Sequence, residues 1–372
     1  AYYQTNLPIS HNVNGNFYVE LNPIKNLTLR SSVGIGGIFS TGESYTSAVY
    51  MNPSTYYLTD AYTVSFLSSY FWNLENTVSY NLRSGKHNFV FLAGTGNYVD
   101  NISQYVALQY QDLPVDNFED ASLNWPVTDT DKKASGAEGN VHKLNSLYGR
   151  LIYDYDEKYL FTGIIRRDGS SRFGTNNKFG IFPSVSAGWV VSREAFWNQN
   201  KIVNFLKIRA SYGETGSDNI GDFKYVSVMQ GNRNYTIGDQ LFIGYAPEAI
   251  ANPDLKWETT TQLNIGFDAT FLEDLRLTFD WFDKRTSDML MTVQVPSYAG
   301  AGNPTGNVAS MKNTGIEAEL GYRKTIGKFA IDLSGNASYI KNEVTDIGEN
   351  EFVKGGLNVY QTSYEITRIS VG

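Results

Sequence analysis

Gln262-Leu263-Asn264-Ile265-Gly266-Phe267-Asp268-Ala269-Thr270-Phe271, then Leu272-Glu273-Asp274, then Leu275-Arg276-Leu277-Thr278-Phe279-Asp280-Trp281-Phe282-Asp283 is the stretch that decides the fold. Leu263, Ile265, Phe267, Ala269 and Phe271 share one parity, and Gln262, Asn264, Asp268 and Thr270 share the other. Leu275, Leu277, Phe279 and Trp281 likewise oppose Arg276, Thr278 and Asp280. Successive side chains of a strand point to opposite faces, so each run carries one apolar and one hydrophilic face. Three polar or turn-forming residues between two such runs predict a β-hairpin.

The same pattern recurs along the chain. Val13 to Leu21 pairs with Asn26 to Ile35 across Asn22-Pro23-Ile24-Lys25, and Trp72 to Leu82 with His87 to Asn97 across Arg83-Ser84-Gly85-Lys86. Leu144 to Asp154 pairs with Tyr159 to Arg167 through Tyr155-Asp156-Glu157-Lys158. Phe182 to Ser192 pairs with Val203 to Gly213 through a longer turn that contains Phe196 and Trp197. Asn313 to Arg323 pairs with Lys328 to Ser338, with Gly327 in the turn. Each run is close to the roughly 9 to 11 residues that a tilted strand needs to cross a bilayer. Long polar connections over Gly36 to Tyr70, Tyr98 to Lys143, Glu214 to Thr260 and Met289 to Lys312 separate the hairpins. Short turns at one end and long loops at the other predict an all-β, antiparallel transmembrane β-barrel, with one face for lipid and one for a wet lumen. A soluble β-sandwich or propeller also alternates, but its strands average about 5 to 6 residues.

Composition narrows the remaining classes. No stretch approaches the roughly 18 consecutive apolar residues of a spanning helix. A net charge of −8 from 30 basic and 38 acidic residues argues against a nucleic-acid partner, which would call for a clustered basic surface. The chain has no cysteine, which removes disulfides, thiolate metal sites and a cysteine nucleophile. Its 26 tyrosines suit interfacial girdles and equally suit surfaces that stack on sugars. Ala1-Tyr2-Tyr3-Gln4 opens with no basic segment followed by an apolar core, so no signal peptide is visible there.

Catalytic and metal-binding patterns are missing from the sequence. His11, His87 and His142 lie far apart without an H-E-x-x-H context and read as solvated or turn-proximal residues. Gly34-Ile35-Gly36-Gly37 does not continue as a phosphate or dinucleotide loop, and reads as a strand end or loop entrance. Two carboxylate groups, Glu214, Asp218 and Asp222, and Asp116, Glu119 and Asp120, carry the right atoms for a hard cation. Neither has the spacing of a calcium loop, so both read as solvated acidic loops. No catalytic residue, metal ligand or cofactor is therefore expected. Arg150, Arg209, Arg276, Glu317, Glu319 and Asp332 fall on inward faces, where a wide wet lumen tolerates charge.

Five segments are more specific. They are Asp168-Gly169-Ser170-Ser171-Arg172-Phe173-Gly174; Phe182-Pro183-Ser184-Val185-Ser186-Ala187-Gly188-Trp189; Leu206-Lys207-Ile208-Arg209-Ala210-Ser211-Tyr212-Gly213-Glu214-Thr215-Gly216; Asn252-Pro253-Asp254-Leu255-Lys256-Trp257-Glu258; and Asn313-Thr314-Gly315-Ile316-Glu317-Ala318-Glu319-Leu320. In this order they resemble the central barrel of the SusC-like (RagA-like) TonB-dependent outer-membrane transporters of Bacteroidetes. The resemblance is carried by approximately Leu144 to Gly372, with the preceding residues agreeing in strand and loop rhythm.

It implies part of a 22-stranded barrel with a plugged lumen. It also implies a cell outer-membrane location, import of bulky oligosaccharides or peptides energised through TonB, and a SusD-like lipoprotein lid over the outer mouth. The segments quoted are mostly strand starts and loop corners, so the resemblance gives their residues a structural rather than ligand-binding role. Asn252-Pro253 ahead of Trp257-Glu258 reads as a loop return that sets strand register, Trp257 as a girdle residue, and Arg172 as a partner of loop carboxylates.

The sequence departs from the family pattern in showing no plug, no TonB-contact segment and no terminal strands after Ile369-Ser370-Val371-Gly372. Residues 1–372 are accordingly expected to be one partial barrel domain of a longer transporter. An unclosed sheet edge in lipid would leave backbone groups unsatisfied. Two alternatives stand beside this reading. One is a passive porin or adhesin in which about twelve strands close on themselves. The other is a secreted glycan-binding or glycan-cleaving β protein, which for cleavage would need a carboxylate pair across a cleft.

Overall fold

Twelve strands follow one another in a single antiparallel order in the computed structural model, which describes residues 4–52, 55–197, 202–231, 234–296, 298, 300–348, 353–355 and 367–372. They are β1 (Gln4–Ile24), β2 (Leu27–Thr46), β3 (Ala61–Ser84), β4 (His87–Gln111), β5 (His142–Tyr155) and β6 (Tyr159–Ser170). β7 (Phe179–Val190), β8 (Val203–Ser217), β9 (Glu258–Phe271), β10 (Leu275–Thr292), β11 (Thr305–Ile326) and β12 (Phe329–Asp346) complete the order. Each strand is hydrogen-bonded to its neighbours in sequence, an up-and-down meander with no crossover. All twelve sequence-predicted strands, and their pairing into six hairpins, are present. The chain divides into two compact units, one of residues 1–20, 30–76 and 96–144, the other of 21–29, 77–95 and 145–372.

The strands are longer than the alternation predicted. β3 and β4 reach 24 and 25 residues, so much of the expected loops Gly36 to Tyr70 and Tyr98 to Lys143 is strand. A further strand, Lys132–Glu138, lies antiparallel on β4 and pairs Gln104 with Glu138 through Tyr110 with Lys132. Apolar-polar alternation marks only the part of a strand with unlike surroundings on its two faces. The backbone ladder needs no such contrast and continues where both faces are polar.

Four of the turns are tighter than predicted, with two or three residues in place of four, while Leu272-Glu273-Asp274 is as predicted, and all five carry the positive φ typical of tight hairpin turns. Asn26 (φ 69°), Gly85 (φ 56°), Asp156 and Glu157 (φ 54° and 53°), Leu272 and Glu273 (φ 50° and 67°) and Gly327 (φ 61°) sit at these positions. Between β7 and β8 the connection holds two 3-10 turns, Val191–Arg193 and Ala195–Trp197. Trp197 Nε1 donates to the Val203 carbonyl at 3.0 Å and ties this longer connection to the start of β8.

Register builds the two faces. In the second unit one rung runs Phe161, Ala187, Ala210, Ile265, Trp281, Ile316, Tyr339 across β6 to β12. The adjacent rung runs Leu160, Gly188, Arg209, Gly266, Asp280, Glu317, Ser338. One residue along every strand thus changes the face from apolar to predominantly small and charged. The apolar rung is not buried in protein: Ile265 is 46% and Tyr339 70% exposed. A contiguous apolar surface of that kind calls for an apolar surrounding. It gives way to charge at Asp283, whose carboxylate meets Arg285 at 2.7 Å and Lys312 at 3.2 Å on the same face. The apolar band therefore ends between Trp281 and Asp283.

The opposite boundary is an aromatic cluster at the turn end. Tyr159 and Trp189 are register partners, and both donate to Glu194 Oε1, at 2.6 and 3.2 Å. Amphipathic rings that anchor a polar atom are the usual occupants of a membrane interface.

Candidate functional site

Arg209 is the centre of the hydrophilic face. Its Nε donates to Asp268 Oδ2 at 3.0 Å, and its Nη2 reaches Asp268 Oδ1 at 3.2 Å and Asp280 Oδ2 at 2.8 Å. Asp280 stands two strands away, and the position between them in the rung is Gly266. A Cβ at Gly266 would lie 2.3 Å from Asp280 Oδ1 and 2.5 Å from the Phe279 carbonyl, so glycine is what lets the guanidinium cross β9. Thr278 adds a hydroxyl to Asp268 at 3.3 Å. Beyond Asp280 the wall continues through Glu317 and Glu319 beside a cavity of about 310 Å³. Three acids, Asp280, Glu317 and Glu319, thus line a polar wall able to hold hydrated or cationic groups, with Arg209 neutralising only one end.

The inward charges predicted from sequence do not all meet. Arg209 and Glu317 share a rung. Arg276 and Asp332 line a second cavity of about 210 Å³ that shares Thr278 and Glu319 with the first, and there Arg323 pairs with Asp332. Arg150 sits on β5 in the parity of Ser146 and Tyr148. These two receive Arg166, which donates to Ser146 Oγ at 2.8 Å and stacks 5.3 Å from the Tyr148 ring. Asp268 and Asp280 were missed as site residues. A glycine facing acids at rung distance inside an amphipathic strand is the signal that could have found them.

The motif segments converge at the loop end of the second unit. Ser170, fully buried, donates to Asp218 Oδ2 at 2.6 Å. Arg172 bonds Asp222 Oδ1 at 3.3 Å and the Asp218 carbonyl at 3.2 Å. Two of the three carboxylates in the Glu214 group are therefore engaged by Ser170 and Arg172, and Glu214 accepts from Tyr212 at 3.0 Å. Trp257 packs between Phe173 at 5.1 Å and Phe182 at 5.5 Å, and its Nε1 donates to the Lys178 carbonyl. Trp257 is 7% exposed, so it is a corner core residue rather than the girdle residue predicted. Phe173 and Phe182 cover it before any lipid can.

Gly216 and Gly174 make room in the same corner. A Cβ on Gly216 would lie 2.0 Å from Phe182 Cζ, and one on Gly174 would lie 2.9 Å from the Pro253 carbonyl. Asn252 donates to the Thr305 carbonyl at 2.9 Å, Asn176 to Asp254 at 3.0 Å, and Leu255 has no exposed surface. The remaining motif residues serve the strands. On β6 Asp168 chelates Arg166 Nε, and Gly169 leaves space for the Phe179 ring, over which Arg167 lies at 3.6 Å. Pro183 pairs with Ile165, Gly188 with Arg209 and Gly213 with Gln262 in the ladders. Glu258 starts β9 opposite Ser217. Asn313 accepts from Asn342, and Gly315 lies beneath the Phe282 ring.

The first unit has its own loop core, which the sequence reading did not anticipate. Tyr45, Tyr62 and Leu113 are buried together, with Val64, Val115 and Phe118 packed on them. Tyr62 donates to Glu43 at 2.9 Å and Tyr45 to the Val115 carbonyl at 3.2 Å. Burial first, and the neighbouring carboxylates second, push both phenols up to about 12. Asp60 fastens the loop by accepting from the Leu113 amide at 3.1 Å, beside a cavity of about 690 Å³ that Asp116 also lines.

His142 corrects the expectation of a solvated histidine: it is 4% exposed, and its Nδ1 sits 3.0 Å from Asp100 Oδ1. His87 is turn-proximal, stacked on Tyr153 and tilted against Tyr155, and His11 is exposed on β1. In the Asp116 group, Asp120 bonds Asn117 at 3.0 Å. Among the described residues no group of three or more histidines and carboxylates is arranged to hold a metal ion.

A family model described as TonB dependent receptor-like, beta-barrel, matches residues 1–363. The chain belongs to this TonB-dependent receptor β-barrel family. TonB-dependent receptor P39 of Formosa agariphila is 35% identical over 288 residues, which is 76% of this chain and 27% of that protein. TonB-dependent receptor SusC of Bacteroides thetaiotaomicron is 37% identical over 212 residues, 55% of this chain and 21% of SusC. The chain spans between about a fifth and a third of these and related curated relatives. In the RagAB peptide importer, closed-closed state, one chain superposes with a TM-score of 0.83 at 24% identity, covering all of this chain and 40% of that one. The barrel fold of TonB-dependent receptors therefore accounts for the twelve-strand meander. The family is one of transporters and receptors rather than enzymes.

Proposed function

We propose that the chain forms part of the wall and outer loops of an outer-membrane, TonB-dependent importer of bulky nutrients, oligosaccharides or peptides, that works with a SusD-like surface lipoprotein. The observation that carries this reading is the pair of adjacent rungs. The apolar rung through Ile265 and Trp281 faces lipid, while the rung through Arg209 and Asp280 faces a wet conduit. The loops on the substrate side are, in one unit, those held by the Tyr45–Leu113 core and, in the other, those held by the Trp257 corner. Likeness to SusC and to the RagAB peptide importer supports import and a lid partner, and leaves oligosaccharide and peptide as the two cargo classes. Residues 1–372 serve as one domain within that longer transporter.

The test is uptake of labelled oligosaccharide and peptide pools by cells with and without the gene. The expected result is loss of uptake of one cargo class in the deletion, restored by the gene and abolished when the inner-membrane proton gradient is collapsed. Unchanged uptake of every pool, or uptake that survives collapse of the gradient, would contradict an energised importer.

A further inference from the structure

We infer that the acid-lined cavity in the loops of the first unit binds an organic cation, the ammonium or guanidinium group of a cargo molecule. This deepens the import reading above and rests on it for the origin of the cation. The cavity encloses about 690 Å³, within the roughly 300 to 1,000 Å³ of small-ligand sites, and Tyr45, Asp60, Leu113, Pro114, Val115 and Asp116 contribute to its lining. Asp60 immediately precedes β3, which is 24 residues long, and about 10 residues suffice to cross the hydrocarbon core. The cavity therefore lies outside the bilayer, on the side of the long loops.

Asp60 identifies the charge of the occupant. It is 8% exposed, and its Oδ1 accepts from the Leu113 amide at 3.1 Å. Its Oδ2 is buried as well and meets no hydrogen-bond donor among the described residues. The neighbouring Tyr45 hydroxyl has one proton, which goes to the Val115 carbonyl at 3.2 Å. Burial first, and the Asp60 charge after it, push that phenol up to about 12, so it stays neutral and supplies no counter-charge. Asp116, exposed on the rim, adds a second carboxylate.

The surrounding sequence does not neutralise this pair. Residues 31–82 and 88–131, which supply the whole lining, carry ten Asp or Glu and no Lys, Arg or His. The next lysines along the chain, Lys132 and Lys133, are bonded to Asp129 and Gln111. A buried carboxylate is ordinarily paired, so the positive partner comes from outside these loops.

Size and donor set favour an organic cation over a metal ion. Calcium takes about 6 to 8 oxygen ligands, and among the described residues no group of three or more histidines and carboxylates is arranged to hold a metal. A bare ion would also leave most of the cavity unfilled. An alkylammonium or guanidinium group suits it better: the charged head meets Asp60 and Asp116, and the aliphatic stem lies along Leu113, Pro114 and Val115.

The test is equilibrium binding of fluorescent probes to the purified full-length protein in detergent. One pair is C-amidated Ala-Arg-Ala and its neutral counterpart with citrulline in place of arginine; the other is chitotriose and its fully N-acetylated form. The proteins are wild type, Asp60→Asn, Asp116→Asn and Glu119→Gln, an exposed acid outside the lining, each checked for folding by heat-modifiable gel mobility. Asp60→Asn keeps an oxygen for the Leu113 amide while removing the charge. The expected result is that at least one cationic probe binds wild type and Glu119→Gln tenfold or more tightly than its neutral counterpart, a preference lost in Asp60→Asn and weakened in Asp116→Asn. Preference for the arginine peptide or for the amino sugar supports the site in either case and distinguishes the source of the cation. Equal affinity for charged and neutral probes, a preference unchanged in folded Asp60→Asn, or displacement of the probe by micromolar calcium that is itself retained overturns the inference. Should Asp60→Asn fail to fold, Asp116→Asn is read in its place, and an unchanged preference there overturns the inference in the same way. Because binding is read without transport, charge-selective binding by a protein that imports neither cargo class would refute the importer reading and leave the site standing.

Discussion

Replacing Arg209 by methionine keeps the aliphatic stem and removes the guanidinium that spans Gly266. Two carboxylates are then left without their partner: Asp268 at 3.0 Å and Asp280 at 2.8 Å. A fully exposed pair would be worth about 0 to 1 kcal/mol, and breaking a fully buried one costs about 3 to 5 kcal/mol. Arg209 and Asp268 are each 30% exposed and Asp280 only 15%, which puts this network between those limits. The expected cost of Arg209→Met is about 2 kcal/mol, or about a thirtyfold shift in the unfolding equilibrium. Asp280→Asn relieves one orphaned charge, so the double variant recovers about 1 kcal/mol relative to additivity. The assay is urea unfolding of the full-length protein in lipid vesicles, followed by heat-modifiable mobility. An Arg209→Met midpoint equivalent to less than about 0.5 kcal/mol, or strict additivity with Asp280→Asn, would refute an ion network bridging β8 to β10.

The loop corner gives a second prediction: Trp257→Ala, which deletes a 7% exposed indole, costs about 3 to 5 kcal/mol locally and exposes the 168–182 and 252–258 segments to limited proteolysis. Protease resistance equal to wild type would count against the corner as a packed unit. Gly216→Val forces Phe182 off Trp257, since even a Cβ would approach its ring to 2.0 Å, and should produce the same cleavage pattern while Gly335→Val, with open space around its Cβ, does not. At the turn end, Lys86 holds the Asp156 carboxyl below its usual range through a 2.8 Å bond. That contribution is present above about pH 4 and lost as pH falls through the lowered folded value. The same bond raises Lys86, so its share is present below about pH 10 and lost above it. Lys86→Met should flatten only these two arms of the stability curve, and unchanged arms would contradict the pairing.

The spanning halves of the strands were legible because lipid and water on opposite faces write a period of two. Gln262 to Asp283 shows this at its clearest, and the six pairings followed from turn chemistry. The outer halves were not legible: strict alternation lapses in both, as at Phe66-Leu67 and Ser68-Ser69 on β3 and at Ser103-Gln104 and Tyr105-Val106 on β4. The strand Lys132–Glu138 carries little β-forming composition and exists because the edge of β4 offers it a ladder. Trp257 read as interfacial because aromatic residues near loop ends often are. Its burial depends on Phe173 and Phe182 arriving from segments about eighty residues away, which no local pattern encodes. His142 was misread for the same reason, its partner Asp100 being 42 residues distant. Arg209, by contrast, was placed on the hydrophilic face with Asp280 and Glu317 by parity alone, although its reach across Gly266 needed the register.

The central claim is that alternate residues of each strand face lipid and a wet lumen. This chain lacks cysteine, and single cysteines introduced along β10 of the full-length protein, with any cysteine elsewhere replaced, can be probed in intact outer membranes with a membrane-impermeant maleimide. The account predicts labelling at Arg276, Thr278 and Asp280 with protection at Leu277, Phe279 and Trp281, a period of two that breaks from Asp283 onward. Uniform labelling of all six positions, or protection of the Asp280 position with labelling at Phe279, would contradict it.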